Sequence, residues 1–441
     1  MQGQEINKRR TTQTVLEIYI LHNIEVDSTC SEKFIRPLGA IEKMFWLMDQ
    51  NHPIHFVLAA EIIGRSEIWQ WQQGLDHLCG QLPLIWSKIV SNQAGEPQFH
   101  QCAQGTVQLE VIHHAPPDWI ATAAAQLARP FDALHAPLLR AALVYDIERS
   151  AIILCAHHSI ADGMSLTYFL RDLLKSVVGE IVELTFEERP LEHIVRRTIE
   201  TAEASQQGSS SSNRPARESM PYRASNGSQP SIESLRLDRG VTSLLRARAH
   251  AEGCSIHGAL CAAFAIAHLD LAPGTRGLPP RISSPVDVRR RLLDDSDHFG
   301  MCICGIAVND EPNEVKFWDK ARYFSNSIAP VKTAAGMASL VSAAQRGIAR
   351  VKSVREAADL AARLFAGDID LSNLGVVDIP EIYGALQLES LWGPMVTLGF
   401  STEQSVGAST FGGCLHLVHM SYAPVKGLLG QASGLLVQSV C

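Results

Sequence analysis

The chain lacks the cysteine patterns of a zinc site or a disulfide framework. Its ten cysteines include no C-x-x-C pair, and only Cys302 and Cys304 lie close together in the sequence. Others, such as Cys155 and Cys261, lie in apolar runs, where a thiol usually behaves as a small buried hydrophobe in a reducing compartment. The cysteines therefore argue against a metal site, and we expect a cytoplasmic protein.

An excess of basic residues and a long apolar segment are also missing. The 441 residues carry a formal net charge of −8, whereas a nucleic-acid-binding protein normally presents a basic face. No stretch approaches the roughly 18 uninterrupted apolar residues of a membrane span. The apolar run at 15–21 is only loosely similar to a signal peptide, because Glu17 interrupts it and no small-x-small cleavage site follows. We expect a soluble chain with no nucleic-acid partner and no membrane span.

The composition that is present suits a large core divided into two units. Hydrophobic residues make up 46% and charged residues 19% of the chain, as in an ordinary globular protein. Residues 203–231 are rich in Ser, Gly, Gln, Asn and Pro, and they lack the apolar side chains that would offset their ordering entropy. They are predicted to form a flexible linker between an N-terminal subdomain at 34–202 and a C-terminal subdomain at 232–441, with an N-terminal extension at 1–33.

Strands and helices are predicted to alternate through both halves. Runs of apolar and β-branched residues predict strands at 107–112, 142–156 (with a break near 148–150), 281–288, 301–308, 369–377 and 414–422. An apolar stripe with helical spacing follows Gly163 and reaches Val177, and the apolar segment at 256–269 is typical of a buried helix. This alternation predicts an α/β, sandwich-like architecture.

The candidate catalytic residues lie where the second of these strands ends. The strand leads to His157 and His158, and Asp162 and Gly163 then precede the amphipathic helix. A histidine at such a position suits general-base catalysis, because its ordinary pKa of about 6.5 leaves a neutral form near pH 7 that accepts a proton. Adjacent strand residues point to opposite faces, so only one of the two histidines can face a given substrate.

A second segment has the same spacing. His113, His114 and Asp118 repeat the His-His-x-x-x-Asp pattern after another strand-like run, but prolines occupy the turn and no glycine follows the aspartate. Spacing by itself does not decide between the two copies.

An ordered set of motifs resolves the choice. The segments 129–132 (Arg-Pro-Phe-Asp), 136–141 (Ala-Pro-Leu-Leu-Arg-Ala) and 157–163 follow one another in the sequence. Together they resemble the first half of the condensation-domain superfamily, whose signature is His-His-x-x-x-Asp-Gly on the loop after a strand. That superfamily includes nonribosomal peptide condensation domains, polyketide-associated acyltransferases, chloramphenicol acetyltransferase and plant acyltransferases of the BAHD type. The order of the motifs selects His158 over His114.

The resemblance extends over roughly residues 34–430. The segment 34–49 is similar to the opening segment of the family, 255–267 to the first helix of its second half, 284–289 to its Pro-Val-Asp-x-Arg strand, and 372–375 to its Ser-Asn-x-Gly turn. The Arg-His-Pro-x-Leu-Arg stretch common in the family and the Asp-Phe-Gly-Trp-Gly segment of BAHD enzymes are absent. The resemblance is therefore nearest to the polyketide- and peptide-associated branches.

This resemblance implies two chloramphenicol-acetyltransferase-like subdomains in a V with a central tunnel. His158 would take the proton from an acceptor hydroxyl or amine as it attacks a thioester carbonyl, forming an ester or amide in polyketide or nonribosomal peptide biosynthesis. The donor would be an acyl carrier protein or acyl-coenzyme A. Its phosphopantetheine arm belongs to the substrate, so no separate cofactor and no metal are expected. We expect a monomer.

The other motif residues would support the site. By the resemblance, Asp162 would pair with Arg289, Gly163 would keep the tunnel open to the pantetheine arm, and Asn373 would line the second subdomain. His157, the first histidine of the motif, is expected to pack away from the tunnel.

Purely structural interpretations stay open for several of these residues. Arg289 stands beside Arg290 and Arg291, and such a run usually forms a solvated surface. Asn373 could simply cap a turn. Ser159 lies next to His158, but no nucleophile elbow or triad surrounds it.

Two other functions also stay open. One is a catalytically silent, condensation-like module that only docks carrier proteins. The other is a metal-dependent hydrolase with His157, His158 and Asp162 as ligands, although adjacent histidines on a strand diverge and ligate one ion poorly.

Overall fold

The computed structural model describes residues 33–114, 116, 118–186, 189–196, 221–223, 225–272, 279–293, 297–310, 316–364 and 367–440. Almost all of the predicted extension at 1–33 and most of the predicted linker at 203–231 lie outside the described residues.

The described residues form fifteen β-strands. Their bounds are β1 Lys33–Pro37, β2 His55–Ile63, β3 Ser87–Ser91, β4 Pro97–Gln101, β5 Leu109–His113, β6 Leu139–Tyr145, β7 Arg149–His157, β8 Ser231–Leu237, β9 Arg281–Asp287, β10 Ile303–Asn309, β11 Ile369–Val376, β12 Ile382–Tyr383, β13 Leu386–Val396, β14 Gln404–Phe411 and β15 Cys414–Ser421.

Twelve α-helices and one 3₁₀-helix accompany these strands in the described part of the chain. The α-helices are α1 Ala40–Asp49, α2 Ile68–Cys79, α3 Trp119–Ala128, α4 Gly163–Val177, α5 Leu191–Ile194, α6 Arg239–Ala251, α7 Ile256–Leu271, α8 Arg289–Leu292, α9 Phe317–Ile328, α10 Ala334–Ile348, α11 Val354–Leu364 and α12 Leu428–Gln438. The 3₁₀-helix is Ala329–Lys332.

Two six-stranded sheets organise the molecule. The first has the strand order β12-β13-β2-β7-β6-β5 and the second has the order β10-β9-β11-β14-β15-β8, while β1, β4 and β3 form a small separate sheet. The α/β class predicted from the sequence is confirmed. Strands β12 and β13 belong to the second half of the sequence but pair within the first sheet. The second half therefore adds strands to the sheet of the first half, which a division at the linker does not anticipate.

Strand β7 is buried on both faces of the first sheet. Ile152 and Leu154 face a core that includes helices α2 and α4. Ile153 and Cys155 face a second cluster that includes α3 and Val418 of the other sheet. Because both faces are covered, the strand is a continuous apolar run rather than an alternating one. This central position fixes the end of β7, where His157 is the last residue of the strand and His158 follows.

The helix after the motif begins at an N-cap that the sequence encodes. The side chain of Asp162 accepts a hydrogen bond from the backbone N–H of Ser165 at 3.0 Å, which satisfies one of the free donors of the first turn. The apolar stripe that ends at Val177 then packs into the first core. In the second half, α7 is apolar on all sides because it lies inside the second core.

The predicted elements agree with the observed ones to within a few residues. The predicted strand pair at 142–156 corresponds to β6 and β7, and the break falls near the expected polar turn. The predicted strands at 281–288, 369–377 and 414–422 are β9, β11 and β15, and the predicted helix at 256–269 is α7.

No single helix among the described residues is long and apolar enough to cross a membrane. Helices α6 and α7 meet the requirements of length and composition only as a pair, and they are bent by 100° relative to each other.

The two large sheets meet where β13 approaches β14. The Ser409 hydroxyl of β14 donates a hydrogen bond to the carbonyl oxygen of Leu391 in β13 at 2.6 Å. At Gly407 the backbones are closer still, because a Cβ atom there would lie 2.3 Å from the carbonyl oxygen of Pro394 and 2.8 Å from Cγ2 of Val418. Glycine is therefore required at this crossing for steric reasons.

We predict that Gly407→Ala destabilises the protein by about 1–3 kcal/mol or more, because the new methyl group must push two backbones apart. Gly430→Ala is the matched control. Position 430 lies in α12 with no atom within 4 Å of a new Cβ, so the substitution should be neutral or stabilise by up to about 1 kcal/mol. Urea unfolding of both variants measures the difference, and equal midpoints would contradict the close approach of the sheets.

Candidate functional site

A cavity of about 650 Å³ lies between the two halves of the chain. Helix α1, strand β2 and the loop after β7 form its wall on the first side, and strands β9, β10 and β11 with the start of α7 form the opposite side. Of the residues predicted for the site, His158, Gly163 and Asn373 line this cavity. His157, Asp162 and Arg289 do not, and their contacts explain why.

His158 is oriented by a hydrogen bond within its own loop. Its Nδ1 atom lies 3.1 Å from the carbonyl oxygen of Ala161. Because a carbonyl oxygen can only accept, this bond requires the proton to be on Nδ1, and the neutral ring then has its lone pair on Nε2. The loop geometry thus selects the tautomer that a general base at Nε2 needs.

Two aromatic rings enclose the imidazole. The ring of Phe45 stacks on His158 with centroids 4.1 Å apart and planes 4° apart, and Phe56 lies at 4.7 Å. Burial lowers the pKa of His158 to about 4, although the carboxylate of Asp162 acts in the opposite direction. The ring is therefore neutral near pH 7, because an unpaired charge in this apolar setting is unfavourable.

His157 faces away from the cavity, as its strand position predicts. Its Nδ1 accepts the backbone N–H of Ser159 at 3.1 Å, which requires the ring to carry a proton on Nε2. That nitrogen lies 3.5 Å from Oδ2 of the buried Asp49, which is long for a hydrogen bond, and the ring packs against Phe131. His157 is therefore part of the packing behind the motif, and it diverges from His158.

Asp162 forms the ion pair with Arg289 that was expected from the resemblance. Nη1 and Nη2 of the guanidinium each lie 2.9 Å from a different carboxylate oxygen, and the two side chains are 1% and 0% exposed. Burial would raise the pKa of Asp162, but Arg289 and the surrounding hydrogen-bond donors outweigh it and hold that pKa below its usual value. The carboxylate is ionised and unavailable as a proton acceptor.

The same ion pair joins the two halves of the chain. Asp162 caps helix α4 in the first half, while Arg289 follows β9 in the second. The backbone N–H of Cys302 donates to Oδ2 of Asp162 at 2.8 Å, and Nη1 of Arg289 also contacts Asp287 at 2.8 Å. The alternative that Arg289 lies on a solvated surface is wrong. It does describe Arg290, which is exposed.

Gly163 and Asn373 lie on the cavity wall, but each also has a structural contact. A Cβ atom at Gly163 would lie 3.0 Å from Cδ2 of Leu374 and 3.2 Å from Cγ of Pro394, so glycine permits the second half to approach the start of α4. The side chain of Asn373 accepts the backbone N–H of Gly375 at 2.8 Å and therefore caps a turn, as one interpretation of the sequence proposed.

The second His-His-x-x-x-Asp segment does not line the cavity. His113 and His114 are exposed at the end of β5, which is an edge strand of the first sheet. The hydroxyl of Ser159 donates to the carbonyl oxygen of Glu42 at 2.9 Å and is buried, so it is not presented as a nucleophile. Within the described ranges no three His, Cys, Asp or Glu side chains are grouped so as to hold a metal ion.

Sequence reasoning missed the residues that surround the motif residues. Phe45 and Phe56 lie on α1 and β2, far from the motif in sequence, and nothing in the sequence marks them as ring partners of His158. Ser165 had a signal, because a serine three residues after the N-cap Asp162 completes a capping box.

Parts of the sequence match known proteins. A family model described as phthiocerol/phthiodiolone dimycocerosyl transferase C-terminus matches residues 226–294, which include β9 and Arg289. Surfactin synthase subunit 2 from Bacillus subtilis (strain 168) is 27% identical over 149 residues, which are 33% of this chain and only 4% of that protein.

Solved structures match over nearly the whole chain. Polyketide synthase associated protein 5 from Mycobacterium tuberculosis has a TM-score of 0.59 at 15% identity, covering 93% of this chain and 99% of that one. The first condensation domain of the CDA synthetase has a TM-score of 0.64 at 15% identity, covering 92% and 96%. The resemblance to the condensation-domain superfamily, and the fold of two chloramphenicol-acetyltransferase-like subdomains, are confirmed.

We predict that Asp162→Ala and Arg289→Ala each lower the free energy of unfolding by about 3–5 kcal/mol, because each leaves a buried charge without its partner. The double variant should lose less than the sum of the two. The exposed pair Arg239–Glu381, at 2.9 Å, is the control, for which a coupling of about 0–1 kcal/mol is expected. Strict additivity at positions 162 and 289 in a double-mutant cycle would contradict the ion pair.

Proposed function

We propose that this chain, which has the fold of the condensation-domain superfamily, transfers an acyl group from a pantetheine thioester to a hydroxyl or amine. The observation that carries the proposal is the state of His158. It is a neutral imidazole on the wall of the cavity between the two halves, with its proton held on Nδ1 by Ala161. Such a group can accept a proton at Nε2 from a nucleophile bound in that cavity.

In the proposed reaction His158 first accepts a proton and then donates it. The acceptor O–H or N–H gives its proton to Nε2 of His158 while the oxygen or nitrogen attacks the thioester carbonyl. The tetrahedral intermediate then collapses, the carbon–sulfur bond breaks, and the imidazolium returns the proton to the departing sulfur. The products are an ester or amide and a free pantetheine thiol, so atoms and protons balance without a metal or a further cofactor.

The weak basicity of an imidazole sets the timing of the proton transfer. A weakly basic imidazole does not ionise an alcohol before attack. It takes the proton only as the new bond to the carbonyl carbon makes the nucleophile acidic. Bond formation and proton transfer therefore belong to one step, and stacking against Phe45 keeps the ring in place during that step.

Asp162 and Arg289 act in this proposal as positioning residues. Asp162 directly follows Ala161, whose carbonyl oxygen orients His158. The ion pair of Asp162 with Arg289 keeps this loop against the second half. Loss of the pair would move Nε2 relative to a substrate carbonyl, and small misplacements of this kind reduce rates strongly.

The mouth of the cavity suits a donor that ends in a phosphate. Arg290 and Arg291 are exposed and line the cavity, so they can contact the phosphate of a pantetheine arm. Arg289 is buried in its ion pair and cannot. Arg196 is also exposed, while Arg197 lies outside the described residues. The phosphate is common to coenzyme A and carrier proteins, and we propose a carrier protein as the donor because fold relatives include a condensation domain and a polyketide synthase associated protein.

The proposal predicts that His158→Ala lowers kcat by about 10²–10⁴-fold, the usual contribution of a positioned general base. His114→Ala is the matched control, because it removes an exposed histidine with the same sequence spacing and should leave the rate unchanged. Acylated carrier protein and acyl-coenzyme A are each incubated with panels of alcohols and amines, and products are detected by intact mass spectrometry. Comparable losses at the two histidines would contradict the assignment.

The same assay separates the alternatives. Dialysis against a chelator should leave turnover unchanged, whereas a loss that zinc restores would contradict the metal-free mechanism. A chain that binds a carrier protein but transfers nothing with any acceptor would be the catalytically silent docking module. A higher kcat/KM for acyl-coenzyme A would remove only the carrier-protein assignment.

A further inference from the structure

Strands β9 and β11 separate inside the second sheet. They are paired in parallel through only two residue pairs, Ile282–Ile369 and Ser283–Asp370. β9 remains paired with β10 along its whole length and β11 remains paired with β14. Beyond the second pair, residues of both separating strands line the cavity. The cavity therefore extends between β9 and β11, and Asp370 lies at the point where they part.

Asp370 is a buried carboxylate on the cavity wall. Its neighbours Ile369 and Leu371 point into the second core, so strand alternation directs Asp370 to the opposite face, where it lines the cavity. Its side chain is nearly buried, with the residue only 6% exposed. In the part of the chain that the structure describes, no lysine, arginine or histidine forms an ion pair with it.

Three other buried carboxylates among the described residues each have a cation. Asp162 has Arg289, Glu42 has Arg36 at 2.7 Å, and Asp310 has Lys320. An ionised carboxylate without such a partner is unfavourable in a protein interior. Glu192 and Glu403 also lack a cation in the described ranges but accept backbone N–H groups. Asp370 has neither a cation nor a backbone donor among the described contacts, and it lines the cavity.

The immediate surroundings of Asp370 are polar but uncharged or acidic. Its sheet partners are Ser283 on one side and Ser405 on the other, and Oγ of Ser405 is buried without a hydrogen-bond partner among the described residues. Burial raises the pKa of Asp370 to about 6, against the hydrogen bond from Ser283. Burial and the Asp370 carboxylate also raise the pKa of Glu403 to about 8. The local field is negative, which disfavours an anionic ligand.

Charged groups of the cavity wall lie near both ends of β9, and Lys332 and Asp287 also line the cavity. Ser283 and Asp370 lie near the start of that strand, while Arg290 and Arg291 follow its end at Asp287. The four residues of strand from Ser283 to Asp287 span about 13 Å. The arginines and the carboxylate can therefore contact different groups of one substrate.

We infer that Asp370 binds a protonated amine carried by one of the two substrates, with the hydroxyl of Ser283, which also lines the cavity, available as a further polar contact. The inference rests on the proposed function only in naming the ligand as a substrate. The amine is distinct from the nucleophile, because a nitrogen that attacks a thioester must be unprotonated. The bound group is the cationic end of an amino alcohol or diamine acceptor, or of an aminoacyl chain on the donor.

Equilibrium binding tests the inference without turnover. The acceptor arm compares 5-aminopentan-1-ol with hexan-1-ol, which replaces the ammonium group by a methyl group. The donor arm compares S-(6-aminohexyl)pantetheine with S-heptylpantetheine, which are thioethers that cannot react. Each probe is titrated by calorimetry into three proteins: the full wild-type chain, its Asp370→Asn variant and its Asp287→Asn variant.

In one arm the wild-type protein should bind the ammonium probe about 10- to 100-fold more tightly than its methyl partner, the usual effect of a charged hydrogen bond. Asp370→Asn should abolish this preference. Asp287→Asn, which removes the same charge from another part of the cavity wall, should retain it. The arm that shows the preference identifies the acceptor or the donor as the carrier of the amine.

Three results would overturn the inference: equal affinities of the paired probes for the wild-type protein, a preference that survives Asp370→Asn, or an equal loss in both variants. The wild-type comparison decides the question even if Asp370→Asn does not fold. A protein that transfers no acyl group can still show the preference, and an active one can lack it, so failure here is distinguishable from failure of the proposed function.

Discussion

Asp162 and Arg289 carry opposite charges at a place that solvent does not reach, and the rest of the site depends on their contact. The pair connects the start of helix α4 in the first half to the segment after β9 in the second. Neither charge could stay buried alone. The contact therefore fixes the loop from His158 to Asp162 and, with it, the position of the cavity wall. Gly163 allows this closeness, because Leu374 and Pro394 occupy the space that a side chain would need.

Burial has three different consequences for ionisable groups around the cavity. It lowers the pKa of His158 and keeps the ring neutral, as a base must be. It raises the pKa of Asp370, which has no cation. Burial does not neutralise Asp162, because the ion pair with Arg289 stabilises its charged carboxylate. The three outcomes differ because each side chain has a different partner: a loop carbonyl for His158, serine hydroxyls for Asp370 and a guanidinium for Asp162.

The fold and the central motif could be predicted because their signals are local or ordered in the sequence. The apolar run of β7 and the stripe of α4 follow from periodicity, and the order of motifs distinguished His158 from His114. The ring partners Phe45 and Phe56 could not be predicted, since packing between distant elements leaves no spacing to detect. The pairing of β13 with β2 in the first sheet was missed for the same reason. Asp370 was overlooked because a single aspartate between core residues is unremarkable until its neighbours are known.

The central claim is that His158 is a neutral base with its lone pair on Nε2. Nitrogen-15 NMR of the histidine side chains measures this state directly, and the His158→Gln variant identifies the signal by its loss. The account predicts a neutral ring protonated on Nδ1 that titrates with a pKa of about 4. A signal that titrates near the ordinary value of about 6.5, or a ring protonated on Nε2 at pH 7, would contradict it.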